Sequence, residues 1–245
     1  MHRFLLKPKW LAFHLLVVAA VVLMVNLGFW QLHRWQDRRE FNDDVRTRAA
    51  MATVEFEEIV TPDVEPEEVA WRTATVAGTY LADEQLQVIN RSQAGVPGVN
   101  VITPLQLDSG SLVLVNRGFV AATEPVPAPP TGVVSVTGRL HGSEARHLGG
   151  LTDPEGELTE IQRIDIDRIA PQLPGPVAPV FVDLVQSEPA QGSSPIPIAD
   201  PELTDGPHLS YMIQWWIFSI AVVAGWVLAV RRSARADQQR ALPLR

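Results

Sequence analysis

Cysteine is absent from the 245-residue chain, and its absence removes several chemistries together. No disulfide framework, Cys-based zinc site, c-type haem attachment or thioredoxin-like CxxC centre can be built, and copper delivery loses the thiolates that suit Cu(I). Lysine is almost absent too: Lys7 and Lys9 are the only two, and 28 Asp and Glu against 20 Lys and Arg leave a formal charge of −8. A nucleic-acid binder carries a basic footprint, so the acidic balance argues against that class. No glycine-rich phosphate loop is present. Ser92, Asp83, His141 and His147 form no recognisable nucleophile arrangement, and the two histidines of RLHGSEARHLGG are too loosely spaced for a metal site. The acidic clusters at 55–58 and 65–68 read as solvated surface rather than paired catalytic carboxylates. Nothing in the chain points to an enzyme.

Hydrophobicity is concentrated in two runs. Trp10 to Trp30 is 21 residues and Ile213 to Val230 is 18, neither holding an Asp, Glu, Lys or Arg. Roughly 20 apolar residues at about 1.5 Å each cross a bilayer core of about 30 Å. Both runs therefore read as transmembrane helices, over 10–32 and, extended back to Leu209, over 209–230. Trp10 and Trp30, and Tyr211 with Trp215 and Trp216, suit the aromatic belts at the interfaces. The first run is too long for a signal-peptide core, and VNLGFWQ offers no small-x-small cleavage site; it reads as an uncleaved anchor. The short basic lead-in favours a bacterial protein over an organelle transit peptide.

Charge sets the expected orientation. Residues 231–245 carry Arg231, Arg232, Arg235, Arg240 and Arg245 against Asp237, and residues 1–9 carry Arg3, Lys7 and Lys9 without an acid. Both ends are expected to be cytoplasmic, in a cell membrane. Arg34, Arg38, Arg39, Arg46 and Arg48 conflict with this on the far side of the first run. The second run decides, because its outer approach holds Asp200, Glu202 and Asp205 with no basic residue. Residues 33–208 then form an extracytoplasmic domain of 12 Arg and 27 acids, a net charge of −15. That length is ample for one core.

Within the domain, residues 34–52 continue the first helix as a polar stalk, and 61–68 reads as loop. Strands are expected at 72–80, 85–90, 99–103, 112–115, 133–140 and 180–185. LVLV at Leu112 to Val115 has the continuous apolarity of a strand buried on both faces, after the Asp108-Ser-Gly110 turn. A loop is expected around Gly95, Pro97 and Gly98. Asp165 to Leu173 suits a short helix, N-capped by Asp165 and cut by Pro171. Proline-rich connectors occupy 121–132 and 187–207. The expected fold is a membrane protein with two transmembrane α-helices flanking a mainly antiparallel β domain, a small barrel or a sandwich.

Candidate binding residues lie where helix meets water. His208, Tyr211 and Trp215 fall at i, i+3 and i+7 of one helical face, with Gln214 elsewhere, and Asn26, Trp30 and His33 make a similar stripe on the first helix. If the two stripes met, they would form an aromatic slot with imidazole at its mouth, suited to haem. Arg34 and Arg117 would be available at the rim for propionates. An interfacial belt whose histidine touches headgroups explains the same residues. His14, one turn inside the other end of the first run, reads as a snorkelling side chain or as function. Asn26 offers an interhelical hydrogen bond. Asn116-Arg117-Gly118 closes the LVLV strand, with Arg117 either ion-paired to a loop acid or anchoring the domain on the helices.

Four stretches carry a family resemblance. LGFWQLHRWQDR (27–38), WRTATVAGTY (71–80), GVPGVNVITPLQLDSGSLVLVNRGFV (95–120) and PHLSYMIQWW (207–216) resemble, in order and topology, the motifs of the surfeit locus 1 family of cytochrome c oxidase assembly proteins. The resemblance implies a non-enzymatic role in maturing haem-copper oxidase, with transient binding of haem a. The catalytic subunit is the implied partner, with a haem a synthase as a further candidate. It makes His208 the haem ligand and matches Tyr211, Gln214 and Trp215 to the second-span motif. Gly28, Trp30, Gln31 and Arg34 match the first-span motif, and Asn116, Arg117 and Gly118 the domain motif. Phe119 and Met212 depart from the family's Trp and Ala. His33 has no family support as a second ligand and is speculative. Three roles stay open: a haem chaperone, an oxidase scaffold without haem, and an unrelated envelope-anchored receptor domain.

Overall fold

The computed structural model describes residues 3–146 and 149–241; His147 and the last four residues of the basic tail lie outside them. The chain divides into two compact units, one of residues 1–44 with 202–245 and one of residues 45–201.

The first unit is a helix pair. Helix α1 (Pro8–Ala49, 42 residues) runs without a break from the apolar segment into the polar stalk, and helix α5 (His208–Ala241, 34 residues) carries the second apolar segment. Both are long and apolar enough to cross a membrane. Gln31 touches His208, and His14 touches Trp226, so the helices are antiparallel. Partly or fully buried positions on α1 recur at His14, Val17, Val21, Met24, Gly28, Gln31, Trp35, Arg38 and Asn42, and on α5 at His208, Met212, Trp215, Ser219, Val222, Trp226, Ala229 and Ser233. Alternating steps of three and four are the heptad seam of a coiled-coil-like pair.

The second unit is built on one eight-stranded mixed sheet. Its strands are β1 (Val54–Glu55), β2 (Thr73–Tyr80), β3 (Leu86–Gln93), β4 (Val96–Gln106), β5 (Leu112–Ala121), β6 (Val133–Gly142), β7 (Glu160–Ile161) and β8 (Val177–Glu188). Their order is β1-β2-β6-β8-β5-β4-β3-β7, and a short β2–β4 pairing, Thr79 with Gln106 and Tyr80 with Leu105, turns the sheet back on itself. The sheet is mainly antiparallel, as expected, through β2–β6, β6–β8, β4–β5 and β3–β4; β1–β2, β3–β7 and β5–β8 are parallel and make it mixed. The long excursion between β5 and β8, through β6 and residues 143–176, supplies the crossover that a parallel pair needs.

Strand β5 is the spine. Leu112, Val113, Leu114 and Val115 are each fully buried; Val113 and Val115 join one apolar cluster with Val76, Leu105, Val136 and Val182. Leu112 and Leu114 join another with Leu86, Ile102, Ile164 and Phe181. The expected loop at 95–98 is mostly strand. Ala94 and Gly95 both have positive φ (50° and 79°), which makes a tight two-residue hairpin, and β4 begins at Val96. Asp165 caps the one-turn helix α4 (Ile166–Ile169) through its carboxylate, which accepts from the Arg168 N–H at 3.2 Å. The remaining short helices are α2 (Phe56–Ile59) and α3 (Pro66–Val69), with α4 at Ile166–Ile169. Helix α3 lies in the expected acidic loop, started by Pro66, whose missing N–H costs nothing at a helix start.

Candidate functional site

The helix pair is cross-linked at each end of its seam. At the start of α5, His208 Nδ1 lies 2.8 Å from Gln31 Oε1. Gln31 accepts, so Nδ1 carries the proton and Nε2 presents its lone pair. One turn back on α1, Gly28 is buried against Trp216, whose indole occupies the space a Cβ would need. Glycine lets this large ring reach the backbone of α1, and Phe29 packs edge-on to it at 5.9 Å. At the opposite end, Trp226 Nε1 donates to His14 Nδ1 at 2.9 Å. His14 is therefore an interhelical acceptor, not a snorkelling side chain.

Beside His208, Arg34, Asp37, Arg38 and Phe41 line an open pocket of about 200 Å³. Arg38 is committed elsewhere: its Nε and Nη2 donate to the carbonyls of Thr204 and Glu202 at 3.1 and 2.9 Å, while its guanidinium lies over the Phe41 ring. Asn42 donates to Asp205 at 3.3 Å. These contacts tie the approach to α5 onto α1 and leave exposed Arg34 as the pocket's second cation.

The structure brings together Gly28, Gln31, Arg34 and His208 of the residues singled out in sequence. It does not join the two proposed stripes into a slot. Trp30 is 55% exposed and Tyr211 47% exposed, and His33 and Gln214 are exposed as well. The seam runs through Gln31, about 100° around the helix from Trp30, so His33 faces about 200° away from it. Asn26 donates to the Val22 carbonyl of its own helix at 2.7 Å, which corrects its assignment as an interhelical bond. Trp215 is half-buried and meets Phe218 edge-on. Trp216, read in the sequence as part of an aromatic belt, packs on Gly28 beside the seam, and Trp226, not singled out in the sequence, falls at a heptad position.

In the sheet unit Asn116-Arg117-Gly118 is a bulge within β5, with Arg117 as the extra residue opposite β4, and it acts as a staple. Asn116 Nδ2 donates to Asp183 at 2.7 Å across to β8, and Asn116 Oδ1 accepts from the Gly118 N–H at 3.2 Å. Gly118 has φ +124°, and the backbone of Ile196 lies where its Cβ would be, so only glycine admits this returning strand. Arg117 is fully buried. It donates to the Gln85 and Gln191 amide oxygens and to the carbonyls of Pro127 and Ala128, at 3.0–3.3 Å. It thus holds both proline-rich connectors, and the expected ion pair with a loop acid is replaced by neutral acceptors. A fully buried guanidinium is also not available for a propionate. Burial lowers the Arg117 pKa, partly offset by Tyr80, whose ring lies 5.8 Å below the guanidinium. Burial likewise raises the Tyr80 phenol above its ordinary range against the pull of Arg117.

His141 Nε2 lies 3.2 Å from Asp183 Oδ2, and the ring stacks on Phe181. The acids at 55, 57, 58, 65, 67 and 68 are exposed. Among the described residues no group of three or more His, Asp or Glu could hold a metal ion.

A sheet-rich domain between two long apolar helices, cross-linked by a histidine at the outset of the second, defines the class of protein. The chain belongs to the SURF1 family, whose model matches residues 18–220. An uncharacterized SURF1-like protein of Mycobacterium tuberculosis is 30% identical over 230 residues, covering 91% of this chain and 83% of that one. A SURF1-like protein of Monosiga brevicollis is 30% identical over 248 residues, covering 94% and 92%. One of Drosophila melanogaster is 26% identical over 238 residues, covering 88% and 76%.

Proposed function

We propose that the protein is a membrane-anchored assembly factor for haem-copper cytochrome c oxidase, which holds haem a through His208 and assists its insertion into the catalytic subunit. SURF1-family membership implies the role in oxidase assembly. The haem reading rests on one observation, the 2.8 Å contact between His208 Nδ1 and Gln31. Metal-binding histidines characteristically give their other ring N–H to such an acceptor, which fixes the tautomer and the ring plane. Nε2 would then be the nitrogen offered to iron; His208 lines the open pocket, and its Cδ2–Nε2 edge lies beside Gly206, whose lack of a side chain keeps that edge uncovered from this direction.

The surroundings fit a cargo that must leave again. A pocket of about 200 Å³ is below the range that encloses a drug-sized ligand, so the macrocycle would lie largely outside it. Arg34 is the cation available to a propionate. Asp37 in the same pocket opposes a second carboxylate. His33, exposed on the far side of α1, would not reach a group held by His208. Both helices span the membrane in this reading, with the termini cytoplasmic and the sheet unit outside.

The test is the visible spectrum of the detergent-purified protein, co-expressed with a haem a synthase. A stoichiometric haem a spectrum in wild type that is lost in His208→Ala is expected. A colourless wild-type protein from cells that make haem a would sink the haem reading and leave an oxidase scaffold.

A further inference from the structure

The sheet unit holds a cavity that the oxidase role does not use. It has a volume of about 640 Å³ and is lined by residues of β3, the segment after β6 and the segment after β7, Arg91, Glu144, Arg146, Leu151 and Arg163 among them. Three arginines meet here in a domain with 27 acids, 12 arginines and no lysine. Elsewhere such a domain repels anions; at this place its cations are gathered with one carboxylate in the lining.

That carboxylate is spent. Glu144 Oε2 takes Arg91 Nη2 and the Ile164 N–H, both at 2.8 Å. Asp153 approaches Arg163 at 3.4 Å, while its other oxygen takes the Gln162 N–H at 2.6 Å. Arg146 donates to the Thr152 hydroxyl at 2.9 Å and makes no ion pair among the described residues. Arg163 also donates from Nη1 to the Leu151 carbonyl at 2.9 Å, and its Nε lies 3.7 Å from Asp165 Oδ2. Arg91 and Arg163 are thus paired with acids, and Arg146 is the cation of the lining left without an ion pair among the described residues.

We infer that this cavity is a binding site for a phosphomonoester, with Arg146 as its principal ligand and Arg91 and Arg163 in support. Three guanidinium groups around one cavity suit a group with three terminal oxygens and close to two negative charges. A carboxylate has two oxygens and one charge. The volume exceeds what a bare phosphate fills and lies in the range of small-molecule sites. Leu151, 65% exposed beside it, offers an apolar shoulder to whatever carries the phosphate. A membrane lipid such as phosphatidic acid and a soluble phosphate share this chemistry.

The test titrates the full chain in a phosphate-free maltoside detergent with inorganic phosphate and, separately, with short-chain phosphatidic acid, by calorimetry. Arg146→Gln removes an exposed side chain whose partner among the described residues is the Thr152 hydroxyl, and Arg146→Lys keeps the charge without the fork. Lipid bound along the helices is insensitive to both, so the difference between variants reads the cavity. The expected result is binding weakened at least about tenfold by Arg146→Gln, as for loss of a charge-assisted hydrogen bond, with Arg146→Lys intermediate and the circular dichroism unchanged. If inorganic phosphate shows that pattern, the ligand is soluble; if phosphatidic acid alone shows it, the ligand is a lipid. Wild-type protein that binds neither, or Arg146→Gln that binds both as wild type does, overturns the site.

Discussion

Two side chains carry the residue-scale argument, and each has a measurable consequence. Gln31 fixes His208 by accepting from Nδ1. Replacing it with leucine removes the acceptor at similar volume, so the imidazole is expected to populate both tautomers. ¹⁵N chemical shifts of the His208 ring would report this in the protein without haem, and haem affinity should fall about 10- to 100-fold. An unchanged single tautomer would mean that something other than Gln31 orients the ring. Tyr80 is the second case: its hydroxyl is buried without a hydrogen-bond partner, which costs about 1–3 kcal/mol. Tyr80→Phe should therefore leave stability unchanged or raise it by about 1 kcal/mol. The sign with pH follows from the raised phenol pKa. The folded state keeps its proton where the unfolded chain, at about pH 10, begins to lose it. Wild-type stability then declines as pH rises above about 10, and Tyr80→Phe should remove that part of the decline. Equal alkaline slopes in denaturant titrations of the two proteins would contradict it. Motif residues were legible in the sequence, as Gly28, Gln31 and His208 show, but their geometry was not. The aromatic stripes drew attention to Trp30 and Tyr211, whereas the seam lies one residue away on each helix, through Gln31 and Met212.

Among the elements, β5 shows what patterning discloses. Four consecutive apolar residues without alternation required burial on both faces, and Leu112 to Val115 feed two separate clusters. Leu114→Ala is expected to destabilise the sheet unit by about 2–5 kcal/mol, since a filled site loses both transfer energy and packing. A thermal or chemical melt of the full chain in detergent checks this, and a loss below about 1 kcal/mol would place Leu114 outside the core. Strands β2 and β6 were legible because their side chains alternate between core and surface. Strands β1 and β7, of two residues each, contain too little sequence to show a period. The parallel pairings escaped for a related reason: periodicity reports which face is buried, and says nothing of the direction of the neighbouring strand. The extension of β4 back to Val96 was hidden by Pro97 and Gly98, which read as a break. Gly98 instead leaves room for the Phe119 ring and the backbone of Val120 on the paired strand.

At the scale of the whole molecule, charge placement makes the strongest remaining demand. The two flanks of the first apolar segment compete as the basic side of a membrane-crossing helix, with five arginines from Arg34 to Arg48 against Arg3, Lys7 and Lys9. In the helix pair, Arg38 is engaged with the carbonyls of Glu202 and Thr204, and Asn42 with Asp205. Those contacts place the outer basic flank of α1 on the same side as the acidic approach to α5. Arginines engaged in this way would have to cross the membrane with the loop, a cost the positive-inside rule counts against them. The second span has no such conflict: Arg231, Arg232 and Arg235 follow it, and no basic residue stands in the approach from Asp200 to Pro207. The second span should therefore impose its orientation on the antiparallel partner. A chain without cysteine allows a clean test. Ser109→Cys lies at the exposed turn between β4 and β5, and Ala236→Cys on an exposed position near the end of α5. A membrane-impermeant maleimide applied to intact cells stripped of their outer layers is expected to label the first and spare the second, with both labelled after lysis. The reverse pattern would put the sheet unit in the cytoplasm and overturn the proposed orientation.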